Sequence, residues 1–340
     1  MKKSFLLSLL LYLTSCTPQP PEESRVAGPY LGRPEPGNRL ELFAPGILSD
    51  GLHNRDIAIT PDGREIYTTV GWGRDSFSKI LVCRMEEGAW SDPEPVPFSS
   101  GFGYQDIEPV ISPDGKRMLF VSNRPDPANG RLEKNWDIWS VHRQGDEWGE
   151  PVNLGPPVNS DSDEYFPGIT DSGNVYFTRL DETTRENLIF RCRWEDGEFL
   201  EAEKLDENVN CGRARFNATI APDEGFIIIP CAGMPDSLGG VDYYISFRDS
   251  EDQWSSPINM GPEINSATGN EWSASLSPDG RFLFLMKSIQ SDEFFELPVT
   301  MENIRRIAGS PGNGDSDVYW ISSSIIDRLE RQLQQSLATE

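Results

Sequence analysis

The chain has 340 residues, a formal net charge of −25 at pH 7 and 37% hydrophobic residues. This apolar content excludes a disordered acidic tail, and the 27 prolines and 30 glycines argue against long helices. The acidity counts against nucleic acid as a partner, because nucleic acid is itself a polyanion. With only His53 and His142 in the sequence, a histidine-rich metal site is excluded.

We expect residues 1–15 to be an export signal. Two lysines precede a short apolar stretch, residues 5–13, whereas a membrane-spanning helix needs about 20 residues. Residues 13–16, Leu-Thr-Ser-Cys, resemble the lipobox of bacterial lipoproteins. The resemblance implies that Cys16 is lipidated and anchors the protein in the bacterial cell envelope, with an ordinary signal peptide as the alternative. The residue after Cys16 is Thr17 and not Asp, so the resemblance to lipoproteins implies that the protein is located in the outer membrane if the cell is Gram-negative. Residues 16–37 then comprise the lipidated cysteine and a Pro- and Glu-rich flexible tether.

One turn motif recurs five times along the body of the chain. In each copy, an apolar residue and a Ser, Thr or Ala precede Pro-Asp-Gly or a close variant. Proline sets φ, aspartate bonds its own backbone and glycine tolerates a positive φ, so the motif predicts a tight turn. The copies lie 51–58 residues apart and start at Thr60, Ser112, Thr170, Ala221 and Ser277.

Strand patterns surround every turn. A β-branched and aromatic run follows each turn, a further apolar run comes next, and a Trp or Phe announces a last short strand. Each unit therefore predicts four short antiparallel strands, and five units predict an all-β fold, a single five-bladed β-propeller over residues 38–324. The fifth unit lacks its fourth strand, and residues 40–44 are predicted to supply it and close the ring.

The repeats resemble the TolB-type WD-like β-propeller repeat. The resemblance is clearest in the second unit, in residues 112–116, 120–125, 137–139, Trp148 and 151–155. It implies protein partners, such as envelope lipoproteins or peptidoglycan-associated complexes. It says little about activity, because propellers serve enzymes, scaffolds and receptors alike. TolB has an α/β domain before its propeller, which residues 18–37 are too short to supply.

Two segments depart from the repeat. Residues 325–340 place apolar side chains on one face and charged ones on the other, which predicts an amphipathic C-terminal helix packed against the propeller. Residues 289–314 interrupt the fifth unit and predict a long loop on one rim.

The inner strand of each blade should line the central channel. Side chains alternate along a strand, so the positions six and four residues before the Ser, Thr or Ala of each turn share one face. The apolar positions one and three residues before it are expected to pack between blades. Six charged residues are therefore predicted to surround one axial opening and to be candidate ligand-binding residues: Asp56, Asp106, Glu108, Glu164, Arg215 and Glu271.

Three interpretations of these residues stay open. In the first, they line a water-filled channel. In the second, they bind a ligand or a divalent cation such as calcium through carboxylate oxygens. In the third, they form the acid and base of a glycoside hydrolase-like carbohydrate-active enzyme. We assign no catalytic residue and favour a monomeric binding or scaffolding module. Its expected partners are envelope proteins or cell-wall glycan, with membrane contact through the lipid anchor alone, no nucleic acid and no cofactor beyond such a cation.

Four cysteines follow Cys16, without the CxxC spacing of a zinc site. Cys211 and Cys231 are a candidate disulfide pair. Buried free thiols are the alternative for all four, the other two being Cys83 and Cys192.

Overall fold

The structure is a computed structural model that describes residues 26–73, 76–125 and 135–338. It is an all-β protein in which five antiparallel sheets form the blades of a propeller. The inner strands of the five blades contact one another in cyclic order, so the ring is closed. The predicted fold class is confirmed. The predicted signal peptide and Cys16 lie outside the described residues.

Blades 1 to 3 follow one another along the chain, and each runs from an inner strand to a short outer strand. Blade 1 consists of His53–Ile59, Glu65–Trp72, Phe77–Glu86 and Glu94–Pro95, with an added pairing at Ala89–Trp90. Blade 2 consists of Asp106–Ile111, Arg117–Ser122, Asp137–Gln144 and Val152–Asn153, with Glu147–Trp148 added. Blade 3 consists of Glu164–Ile169, Val175–Asp181, Glu186–Cys192 and Glu203–Lys204, with a small hairpin of Trp194–Glu195 and Glu198–Phe199.

Blades 4 and 5 complete the ring. The inner strand of blade 4 is split into Ala214–Arg215 and Thr219–Ile220, and Phe226–Ala232, Asp242–Phe247 and Ile258–Asn259 follow it. Blade 5 consists of Asn270–Leu276, Phe282–Gln290 and Asn313–Ser322, with Glu41–Leu42 as its outer strand. Glu41 pairs with Trp320 and Leu42 with Tyr319 in antiparallel register, which confirms the predicted closure by the N-terminal strand.

The apolar core is divided among the five junctions between blades. Each of the five hydrophobic clusters draws its side chains from two adjacent blades. Trp139, for example, packs between blades 1 and 2, and Trp320 between blades 5 and 1; both are fully buried. Because burial of apolar surface is the main stabilising contribution to folding, the ring holds together through contacts between blades.

The remaining elements are short helices. Pro29–Gly32 is a single turn in which Tyr30 and Leu31 have positive φ, and 3₁₀ turns occur at Pro97–Ser99 and Asp292–Glu296. The predicted C-terminal helix is present as Ser324–Leu337 and buries Ile325, Ile326 and Leu329 in the cluster between blades 4 and 5. The segment predicted as a long loop contains a helix, Met301–Ala308, and the Thr300 hydroxyl caps its start by accepting from the Asn303 amide.

The closing strand, Glu41–Leu42, offers no hydrogen-bond donor to the Asp317 carboxylate of blade 5. In blades 2 and 4 an asparagine of the outer strand donates to the aspartate that begins the third strand, Asn153 to Asp137 and Asn259 to Asp242. In blade 5, Leu42 occupies the asparagine's place, so Asp317 Oδ1 is buried with no hydrogen-bond partner among the described residues. Burial raises the pKa of Asp317 to about 6.

Asp317 should therefore make stability fall with rising pH. Its pKa is higher in the folded than in the unfolded chain, so its contribution is fully present below pH about 4 and is lost as the pH rises through about 6. We expect this loss to be about 2–3 kcal/mol and to vanish in Asp317→Asn. Urea unfolding from pH 4 to 7 measures this loss of stability.

Asp242→Asn is the matched control, because Asp242 accepts from Leu238, Gly239 and Asn259. This variant should be less stable than the native protein at pH 7. An equal loss in both variants at pH 7 would contradict the argument.

Candidate functional site

The inner strands are interrupted by bulges. The residue four positions before the turn has positive φ in four blades: Asp56 (58°), Glu108 (57°), Phe166 (46°) and Asn217 (47°). The pairing register of the inner strands of blades 1, 2 and 3 shifts at these residues, and the inner strand of blade 4 breaks there. A bulge inserts one unpaired residue, so the side chains on its two sides no longer follow one alternation.

The bulges place apolar residues around the propeller axis. An axial cavity of about 410 Å³ is lined by all five inner strands. Its wall includes the residue before each turn, and the prolines of four turns line it as well: Ile59, Ile111, Ile169, Ile220 and Leu276, with Pro61, Pro113, Pro222 and Pro278. These isoleucine and leucine side chains also belong to or pack against the clusters between blades, as expected, so they serve both the interblade packing and the cavity wall.

Two carboxylates line the cavity at the bulges. Arg55 bonds both of them, with Nε 2.8 Å from Asp56 Oδ2 and Nη2 2.5 Å from Glu108 Oε1. Neighbouring blades supply further donors: the Ser273 hydroxyl donates to Asp56 Oδ1 at 2.8 Å, and the Phe166 amide donates to Glu108 Oε2 at 2.6 Å. Asp56, Glu108 and Arg55 thus form a charged cluster shared among blades 1, 2, 3 and 5.

Glu108 has the properties of a group that exchanges a proton near neutral pH. Burial raises its pKa to about 7, with the Arg55 charge opposing this shift and the Asp56 charge adding to it. Arg55 is 23% exposed, so the cluster remains accessible from solvent. A carboxyl group with such a pKa can act as a general acid or base.

Asp106 lies elsewhere, in the junction between blades 1 and 2. It is fully buried and accepts from Lys79 at 3.0 Å, Arg124 at 2.5 Å and the hydroxyls of Ser99 and Ser122. It does not line the axial cavity. The expectation that Asp106 shares the channel face with Glu108 is corrected, because the bulge at Glu108 breaks the alternation between them.

Glu164, Glu271 and Arg215 are also buried and do not line the cavity. Arg179 Nε lies 2.6 Å from Glu164, and Lys287 Nζ lies 3.1 Å from Glu271, while burial raises the pKa of both carboxyls. Arg215 donates to the carbonyl oxygens of Cys211 and Gly212. The structure thus brings two of the six candidates together, and ligand binding by any of the six stays a prediction.

The residues that directly precede the bulge positions are not among the candidates predicted from the sequence. Arg55, Tyr165, Phe216 and Trp272 occupy this place in blades 1, 3, 4 and 5, and we call them the rim. The rings of Phe216 and Trp272 lie 6.0 Å apart, and Trp272 is 37% exposed. Each rim residue directly precedes a bulge position, on the part of the inner strand that is farther from the turn, and none of the four lines the cavity itself. The signal was present as a recurrence of arginine and aromatic residues five positions before the turn.

The described residues show neither a metal-binding group nor a membrane-spanning helix. Within the described ranges, no group of three or more His, Cys, Asp or Glu side chains is placed to hold a metal ion, and a bound calcium ion stays a prediction. No helix in the described part of the chain is long and apolar enough to cross a membrane.

Comparisons with known proteins give structural neighbours of low identity and no family match. No protein-family model and no curated protein matches the chain. Solved structures that it resembles include TolB from Acinetobacter baumannii, with 15% identity, TM-score 0.41 and coverage of 80% of this chain and 57% of TolB. An exo-β-1,3-galactanase from Clostridium thermocellum has 10% identity, TM-score 0.46 and coverage of 78% and 58%. A hydrazine synthase from Kuenenia stuttgartiensis has 14% identity, TM-score 0.37 and coverage of 78% and 73%. At such identities the likeness concerns the fold and not the activity.

Proposed function

We propose that the protein is a lipid-anchored binding module of the bacterial cell envelope that takes up a cell-wall glycan at the rim of its axial cavity. The observation that carries this proposal is the cavity itself. It has the size of ligand pockets, about 410 Å³, and joins an apolar wall to the charged cluster of Arg55, Asp56 and Glu108.

The chemistry of the rim favours a glycan over a purely apolar ligand. A sugar ring offers an apolar face, which the aromatic rings of Phe216 and Trp272 can cover. Its hydroxyl groups can both donate and accept hydrogen bonds, which suits a carboxylate pair bridged by a guanidinium. A segment of an envelope protein is the alternative ligand, and the binding experiment below distinguishes the two.

The course of the N-terminal segment is compatible with an anchor at Cys16. Val26 accepts from the Trp90 amide, and the Tyr30 hydroxyl donates to Asp279 in the turn of blade 5. These contacts lie at the turn end of the propeller, opposite the rim. A protein anchored through the preceding residues would therefore present its rim away from the membrane. Incorporation of labelled fatty acid by the native chain, and its loss in Cys16→Ala, tests the anchor.

Binding is tested by thermal unfolding of the full chain in mild detergent with soluble peptidoglycan fragments. A fragment at about 100 times its Kd should stabilise the protein by roughly 2.7 kcal/mol. We expect this shift to disappear in Trp272→Ala and in Glu108→Gln. Trp194→Ala is the matched control, since Trp194 is 39% exposed, as Trp272 is 37% exposed, but lies on the small hairpin of blade 3 and not on an inner strand. A shift that survives both Trp272→Ala and Glu108→Gln would overturn the glycan proposal. The absence of a shift with any fragment, while an envelope protein binds, would overturn it as well.

A carbohydrate-active enzyme is the second candidate. The observation that favours it is the pair of carboxylates at the cavity, Glu108 and Asp56, which Arg55 bridges, with burial raising the pKa of Glu108. Glycoside hydrolysis uses one carboxyl as acid and another as base or nucleophile. In the same samples, new reducing ends that are lost in Glu108→Gln would support catalysis. Binding without such release supports the binding module.

A further inference from the structure

Two of the four described cysteines are in direct contact. The Cys211 thiol donates to Cys231 Sγ at 3.4 Å, and the Cys231 thiol donates to the Cys211 carbonyl at 3.3 Å. Cys83 lies in the cluster between blades 5 and 1, and Cys192 lies in the cluster between blades 2 and 3. Burial raises the pKa of each of these two separate thiols to about 12. The four thiols thus divide into one pair and two isolated groups.

The local backbone is built to bring the pair together. Cys231 lies in the second strand of blade 4, opposite Arg215 of the inner strand. The chain before this inner strand folds back, because the Arg215 guanidinium donates to the carbonyls of Cys211 and Gly212 at 2.9 and 2.8 Å. Gly212 has φ 65°, and a Cβ at this position would lie 2.4 Å from Cys231 Sγ. Glycine therefore permits both the turn and the close approach of the sulfur.

From this geometry we propose that Cys211 and Cys231 form a reversible disulfide, a modification site that ties the entry of blade 4 to its second strand. This inference does not rest on the proposed function. It follows from the contact between the two sulfurs and from the separation of the other two thiols.

The reaction needs a disulfide oxidant such as oxidised glutathione. One protein thiolate attacks a glutathione sulfur, which breaks the glutathione S–S bond and releases one glutathione thiolate. The second protein thiolate then attacks the mixed disulfide, forms the Cys211–Cys231 bond and releases the second glutathione. Two protein thiols lose their protons and two electrons pass to the oxidant. As a thiolate, Cys211 can accept from the neighbouring Cys231 thiol, which lowers the pKa of Cys211 and favours it as the first attacking sulfur.

The bond would act on the rim. It joins residues 20 positions apart, and the segment that it fixes leads directly into Arg215 and Phe216. Closing such a loop restricts the unfolded chain, so the oxidised protein should melt about 3–5 °C above the reduced protein. The disulfide would thereby hold the entry of blade 4 in the form that presents Phe216.

The test is oxidative refolding of the full chain. Both sulfurs are buried, so the chain is unfolded, refolded in a buffer of reduced and oxidised glutathione, alkylated and digested with trypsin. Cys211 lies in the tryptic peptide 205–213 and Cys231 in the peptide 216–248. We expect these two peptides to be joined, with a combined mass 2 Da below their sum, while Cys83 and Cys192 are alkylated. The link should disappear on reduction.

The controls separate a specific bond from random oxidation. Cys83→Ala and Cys192→Ala should leave the linked peptides and the melting difference unchanged. Cys231→Ser should abolish both while the protein still folds, as judged by circular dichroism. The proposal is overturned if Cys211 and Cys231 remain alkylated after oxidative refolding, or if they pair equally with Cys83 or Cys192.

Discussion

Asp106→Ala should lower the free energy of unfolding by about 3–5 kcal/mol, because it would leave two buried cations without their counter-ion. Lys79 and Arg124 both bond this carboxylate, and they are 4% and 7% exposed. Neither cation can regain water without opening the junction between blades 1 and 2. Urea unfolding followed by far-UV circular dichroism measures the loss, with native and variant protein compared at pH 7.

Glu108→Gln is the matched control for this change. Glu108 lies two residues further along the same strand and lines the cavity, beside a partly exposed Arg55 that also bonds Asp56. We expect this variant to change stability by about 1 kcal/mol, the usual size of one hydrogen bond. If Asp106→Ala cost no more than Glu108→Gln, the assignment of Asp106 to the framework and of Glu108 to the site would be wrong.

Glu224→Ala should have an effect of similar size, about 3–5 kcal/mol, at the junction between blades 3 and 4. Blade 3 lacks the Pro-Asp of the other turns. In blades 1, 2 and 5 this aspartate accepts from the preceding Ser or Thr hydroxyl, as Asp114 does from Ser112. In blade 3, Thr170, Ser172 and Asn174 instead donate to Glu224 Oε1 from blade 4. The remaining oxygen, Oε2, accepts from Tyr176 and Arg248.

The pH dependence of this loss distinguishes it from a packing defect. Burial works to raise the pKa of Glu224, but the hydrogen bonds from Ser172, Tyr176, Asn174 and Thr170 outweigh it and hold the pKa below its usual value. The carboxylate therefore stabilises the fold above pH about 4.5, and its contribution decreases as the pH falls through the lowered pKa. The difference between native protein and Glu224→Ala, measured by urea unfolding, should narrow in acid.

Asp223→Ala provides the control for Glu224. Asp223 is the adjacent residue, is exposed and accepts from the Gly225 amide. We expect a loss of about 1 kcal/mol or less, because water can replace its one backbone contact. Equal losses for the two neighbours, or a Glu224 effect that does not depend on pH, would contradict the proposed role of Glu224 in supporting the turn of blade 3.

The sequence by itself determined the number of blades and the way in which the ring closes. Turn chemistry is local: Pro, Asp and Gly specify a tight turn within a few residues, and five such turns mark five blades. Closure by Glu41–Leu42 also followed, because a strand pattern at one end matched a strand missing at the other. The amphipathic pattern of Ser324–Leu337 was sufficient to predict a packed helix.

Only the tertiary structure decided which charged residues meet. The positive φ angles of Asp56 and Glu108 occur at residues that are not glycine, so no local sequence signal announces them. Contacts with neighbouring blades hold these bulges: the Glu108 amide donates to Thr69 of blade 1, and its side chain accepts from blade 3. Because one inserted residue breaks the alternation along a strand, the packing between blades placed Asp106 in a buried ion pair and Glu108 at the cavity.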